Sequence, residues 1–255
     1  MLFRSGDVFG PGPGVLGGSG EPLRSTHLIP LMEGRKRAGF GFTERSDAPR
    51  YTFAERDGED LVVTGQKSYV TGGATVDFLN VLLDVGDEGR AFVVIDTDRP
   101  GVIKERLFGS IDGTQHAAFR FDKVRVPASH LVGTPGQGMP KAMRQIGNTR
   151  MVMAAEAVGR ARWVIDTLTD RITASEAKGG VKDSVRLRYG DLRIKLYVAR
   201  AGVYRAARRA ETGENAVNEG IAAKVFATEL LSEVVDTAIQ LTGGSALETD
   251  HPLTH

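Results

Sequence analysis

The chain has 255 residues, enough to bury a substantial core in one large domain or two smaller ones. Lysine and arginine number 33 against 32 acidic residues, and the resulting net charge of +1 gives no electrostatic case for a nucleic-acid or membrane-surface partner. The absence of cysteine excludes disulfides, thiolate metal sites and a cysteine nucleophile, and no run approaches the roughly 18 to 20 apolar residues that cross a bilayer. The first residues lack the apolar segment of a signal peptide, so a cytoplasmic location is expected.

Residues 1 to 25 contain GPGPGVLGGSGEP, a Gly/Pro-rich tract expected to be irregular because it offers little apolar surface to offset its chain entropy. From about 26 to 135 short apolar runs alternate with turns, which predicts an antiparallel, barrel-like β domain. Thr52 to Arg56 and Leu61 to Ser68 flank Asp57-Gly58 and read as a hairpin. The Thr64-Gly65-Gln66-Lys67 segment that follows reads as a turn leading into Tyr69-Val70-Thr71. Side chains at i and i+2 share a strand face, so Tyr69 and Thr71 should point together while Val70 enters the core. Further strands are expected at Phe78 to Val85, Ala91 to Ile95, Gly101 to Glu105 and Ala117 to Val124. Phe40, Leu61, Val63, Phe78, Leu82, Val93, Phe119 and Phe121 are the expected β core.

After Pro140 the next proline is Pro252, so more than a hundred residues run without the strongest helix breaker. Leu192, Leu196, Ala199 and Val203 form one apolar stripe, and Leu231, Val234, Ala238 and Leu241 another. Breaks at Gly179-Gly180, Gly213 and Gly243-Gly244 predict three antiparallel helices over roughly 141–176, 183–211 and 215–241, an α-helical bundle spanning 136–255. The fold class is therefore α+β. His27, His116, His130, His251 and His255 show no i, i+4 spacing, so no metal ligand is expected. The basic run from Arg186 to Arg209 is interspersed with acids and reads as a solvated helix face.

Six segments in order carry a family resemblance. They are Gly39 to Glu44, Thr64 to Gly73 (TGQKSYVTGG), Phe119 to Pro127 (FRFDKVRVP), Gly133 to Gly138, Arg150 with Ala154, Ala155 and Gly159, and Gln240 to Gly244 (QLTGG). Together they resemble the acyl-CoA dehydrogenase family from about Pro30 to the last residue. The resemblance implies FAD as cofactor, held between the β domain and the bundle. It also implies α,β-desaturation of an acyl-CoA or acyl-carrier thioester, an electron-transfer partner and a homo-oligomer, dimer or tetramer. By the same resemblance Phe42 and Thr43 lie along the pyrimidine side of the flavin. Tyr69 lies against the ring, Thr71 bonds its N5 side, and Gln240, Gly243 and Gly244 hold the adenosine diphosphate half.

The departures matter as much. Thr43-Glu44-Arg45-Ser46-Asp47 lacks the glycine-containing insert that such chains carry before Ser-Asp, and Arg171 is not followed by Phe-Gly. Asp183 stands about where the resemblance expects a glutamine, and an acid facing a diphosphate is unfavourable. One family position for the catalytic Glu lies beyond His255, and Thr149 occupies the other, before Arg150. Glu156 lies two turns further on and reads as the i, i+4 partner of Arg160, so no residue is assigned as catalytic base. The chain is expected to be a fragment lacking the family's N-terminal helical domain and the C-terminal segment bearing that Glu. Alternatives to the dehydrogenase reading are a helical assembly module that has lost flavin binding and a related flavin acyl-CoA oxidase.

Overall fold

Asp57 pairs with Asp60 across Gly58, whose φ of +63° suits the tight reversal, and this hairpin starts the sheet. A computed structural model describes residues 13–111 and 113–254. They fall into two compact units, one running to Gln145 and the other beginning at Ile146.

The first unit holds eight strands: β1 (Ala38–Gly41), β2 (Phe53–Asp57), β3 (Asp60–Thr71), β4 (Phe78–Val85), β5 (Gly89–Asp96), β6 (Val102–Gly109), β7 (Gln115–Pro127) and β8 (Leu131–Val132). Their order is β6-β7-β3-β2-β4-β5-β8, with β1 off this path on β4. Most pairs are antiparallel, as expected, but β1 and β2 both run parallel to β4. β1 takes Phe78 to Val81 of that strand and β2 takes Asp84 and Val85.

Both faces of β4 are covered, which is why FLNVLLDV reads as a nearly continuous apolar run. Leu79, Val81, Leu83 and Val85 join Leu61, Val63, Val93, Phe119 and Phe121 in one core. Phe78 and Leu82 join Phe92 and Val94 in a second. Seven of the eight expected core residues are buried, and Phe40 is half-buried against the second core.

That second core also takes Val15, Leu16 and Leu23. Part of the Gly/Pro-rich tract therefore does bury apolar surface, against the expectation of an irregular remnant; its first twelve residues lie outside the described ones. The tract leads into a π-helical turn, Arg24–Leu28, and a short helix α1 (Ile29–Met32). His27 of that turn packs edge-on against Phe78, 4.8 Å between ring centres, and its Nε2 lies 2.9 Å from Asp96 Oδ1.

The second unit is helical. α2 (Gly138–Glu176) begins at the end of the first unit and continues into it, followed by α3 (Asp183–Glu211) and α4 (Val217–Thr242). All four residues of the first predicted stripe are buried, and Leu231, Val234, Ala238 and Leu241 line the same core with Ala161, Ile165 and Leu168. The connections contain Gly179, Gly180 and Gly213, all at positive φ.

The contact with His27 holds Asp96 well below the usual carboxylate range, from 3.8 to about 2, with Lys36 and Arg99 adding to the effect. A carboxylate whose folded pKa is depressed contributes stability that is complete above its unfolded value and is lost as pH falls through the folded one. Asp96→Asn should therefore lower stability at neutral pH by about 2 kcal/mol and flatten the acid dependence between roughly pH 4 and pH 2. Urea unfolding across that pH range measures both effects, and parallel curves for the two proteins would contradict this assignment.

Candidate flavin site

β3 and β7 form a long antiparallel pair interrupted twice. Between Val63/Val124 and Gly65/Phe121 the extra residue lies on β7, where Lys123 takes a φ of +51°. Between Lys67/Phe119 and Val70/Ala117 the extra residue lies on β3, and the original register returns. Thr64-Gly65-Gln66-Lys67 is thus the interior of a bulged strand and not the turn its composition suggests.

The second bulge decides what faces where. Strict alternation would place Lys67, Tyr69 and Thr71 on one side. With one residue added, Lys67 and Val70 both point inward, 1% and 0% exposed, while Tyr69 is 60% exposed and Thr71 is exposed beside it. Tyr69 and Thr71 share the open face and Val70 enters the core, as the sequence suggests.

Thr43 and Glu44 meet this strand through Ser68. Its backbone N–H donates to Thr43 O at 2.9 Å and its hydroxyl donates to Glu44 O at 3.1 Å. Thr43, Tyr69 and Ala118 therefore line one concavity of about 870 Å³, with Arg45 and Arg106 at its edge. The ring of Tyr69 is held edge-on by Phe108 at 4.9 Å. The ring of Phe42 stacks on Phe40 at 5.8 Å and packs half-buried against the second core, outside the lining of this concavity.

Underneath lies a pair that the sequence does not announce. Lys67 Nζ forms an ion pair with Glu44 Oε1 and lies 3.4 Å from Phe42 O. Thr52 donates its N–H to Glu44 Oε1 at 3.2 Å, and its hydroxyl lies 3.0 Å from Oε2. Burial lowers the pKa of Lys67, with Glu44 opposing that shift. The close approach of β2 needs Gly65: a Cβ there would stand 2.5 Å from Thr52 Cα.

In the helical unit Gln240 is exposed on the last turn of α4, which ends at Gly243 with φ +81° and ψ −163°. Gly243 and Gly244 are exposed, with open space where a Cβ would point. Arg171 reaches the same helix end, donating from Nη2 to Thr242 O at 2.6 Å. The missing Phe-Gly after Arg171 made this residue look unmatched, yet the fold brings it beside the Gly-Gly. Asp183 lies 3.2 Å from Arg186 in the first turn of α3, and Glu156 pairs with Arg160 as the i, i+4 spacing predicts. Arg45 and Asp47 pair at 2.6 Å across the shortened loop.

A sequence model described as the acyl-CoA dehydrogenase C-terminal domain matches residues 136–255. In sequence and in fold the chain is similar to acyl-CoA dehydrogenases. It is 32% identical to a probable acyl-CoA dehydrogenase of Mycobacterium leprae, an alignment covering 94% of this chain and 65% of that protein. It is 28% identical to the cyclohexane-1-carbonyl-CoA dehydrogenase of Geobacter metallireducens, over 94% of this chain and 66% of the relative. The crystal structure of a probable acyl-CoA dehydrogenase from Mycobacterium abscessus superposes with a TM-score of 0.83 at 26% identity, covering 94% of this chain and 67% of the other. The chain thus spans about 65% of the length of the first curated relatives it matches.

Removing one member of a buried ion pair leaves an uncompensated charge, so Lys67→Met should destabilise the protein by about 3–5 kcal/mol. Adding Glu44→Leu should restore most of that loss, because a well-packed apolar pair is often as stable as the ions. Denaturant unfolding of the two variants checks both, and a double variant no more stable than the single one would show that the Glu44 charge is not the cause.

Proposed function

We propose that this chain forms the flavin-binding β domain and part of the helical bundle of an FAD-dependent acyl-CoA dehydrogenase. Its reaction is the α,β-desaturation of an acyl thioester. The observation that carries this reading is the joining of Thr43 to the Tyr69–Thr71 strand through Ser68, which brings Thr43 and Tyr69, from two separated motifs, onto one open concavity. An exposed aromatic ring beside an exposed hydroxyl fits a flat heterocycle with polar edges.

When bound, FAD supplies the hydride acceptor for the β-hydrogen of the thioester. The protein's own part is to bind and orient. Tyr69 offers the flat surface, Thr71 Oγ1 a hydrogen-bonding group two residues along, and the main chain of Phe42 with Thr43 a polar edge. Glu44 and Lys67 hold that edge from below. In the helical unit, Gln240, Gly243 and Gly244 offer an amide side chain and open backbone to a diphosphate, and Arg171 brings a cation to the same helix end. A homo-oligomer and an electron-transfer partner belong to the same proposal, by likeness to acyl-CoA dehydrogenases.

The reading is tested with purified protein reconstituted with FAD. Retained visible flavin absorbance, weakened by about tenfold or more in Tyr69→Ala and Thr71→Ala in FAD titrations, is the expected result; each change removes a contact worth about 1.4 kcal/mol or more. A folded protein that stays colourless and leaves flavin fluorescence unquenched would favour an assembly module without flavin.

A further inference from the structure

Two of the five histidines, which sequence spacing leaves unconnected, meet in the first unit. His27, Asp96 and His130 bring their ligand-type atoms within 4.8 Å of one another, and both histidines are buried, 2% and 8% exposed. His27 lies on a π-helical turn, a distortion frequent at functional sites. Asp96 ends β5, and His130 closes a 3₁₀ turn after β7. The two imidazole rings meet edge-to-face at 5.2 Å.

Hydrogen bonds orient both rings toward the carboxylate. The hydroxyl of Thr26 lies 2.7 Å from Pro22 O and 2.8 Å from His27 Nδ1, so that ring nitrogen is tied to an oxygen. His27 Nε2 faces Asp96 Oδ1 at 2.9 Å, a contact bridged by a proton or, in its place, by a metal ion. His130 Nδ1 donates to Val94 O at 3.0 Å, which leaves Nε2 as an acceptor. Each ring thus has its second nitrogen tied to an oxygen, the arrangement that orients metal-binding histidines.

We propose that His27 Nε2, an Asp96 carboxylate oxygen and His130 Nε2 form a binding site for one divalent transition-metal ion of the zinc class. Two imidazoles and a carboxylate with an open position suit such an ion. Ligands around 2.1 Å from a tetrahedral ion stand roughly 3.4 Å apart, so closure needs side-chain shifts of about an ångström. Asn80, only 5% exposed, lies on the same face of β4 as Phe78 and has an amide oxygen without a hydrogen-bond partner. Two cations oppose the ion. Arg99 leans on the far carboxylate oxygen at 3.4 Å, whereas Lys36 lies 3.7 Å from Oδ1 itself and competes directly. The Lys36 side chain is 34% exposed and free to swing into solvent.

The test uses EDTA-treated, desalted protein titrated with cobalt(II) chloride by visible absorbance and with zinc chloride by calorimetry. Expected are a saturable low-coordinate cobalt spectrum, one zinc per chain, and cobalt affinity about tenfold or more weaker in His130→Gln. Lys36→Gln, which alters an accessible side chain and leaves all three ligands in place, should bind cobalt several-fold more tightly. The proposal is overturned if the folded wild-type protein gives no saturable cobalt spectrum, or if the spectrum persists unchanged in folded His130→Gln. Should His130→Gln fail to fold, unchanged or weaker cobalt affinity in Lys36→Gln overturns it equally.

Discussion

One extra residue in β3 sets the character of the β unit. The bulge between Lys67 and Val70 turns a single strand into two tools, an inward lysine and an outward Tyr69–Thr71 pair. Both are needed at once. The lysine reaches Glu44 and the loop that carries Thr43, while Tyr69 lines the concavity beside Thr43. The compensating bulge on β7 lets the flanking residues keep one register, so the distortion stays local.

The interior side is polar by construction. A lysine at 1% exposure would be costly alone, and here its carboxylate partner also accepts from the Thr52 N–H. That network joins three segments distant in sequence: the loop after β1, the start of β2, and the middle of β3. Gly65 is the condition for it, since only a residue without a side chain lets β3 come so near Thr52.

Much of the fold was legible because it rests on periodicity and punctuation. The helices begin and end within a few residues of the expected bounds, since long apolar stripes broken by Gly179-Gly180, Gly213 and Gly243 admit little else. The strands from Phe78 onward were equally plain. What escaped depends on geometry that spacing does not encode. Gly65 looked like a turn residue because composition cannot separate a reversal from a bulge. Arg171 looked unmatched because its role is spatial, at the end of a helix 71 positions away. Val15, Leu16 and Leu23 were hidden among glycines and prolines, yet three apolar side chains suffice to cover one end of a core. The Tyr69–Thr71 face was legible as a motif, while the bulge that turns Tyr69 outward was not.

The sharing of β4 between β1 and β2 has an evolutionary consequence. β1 leaves β4 at Val81 and β2 joins it at Asp84, so residues 42–52 leave and rejoin the same edge within about 10 Å of strand. A segment anchored in this way at two nearby points can lengthen or shorten without sliding any strand pairing. The missing glycine-containing insert lies inside it. Insertions and deletions can therefore reshape the rim of the concavity beside Thr43, one loop length at a time, while the sheet beneath keeps its register.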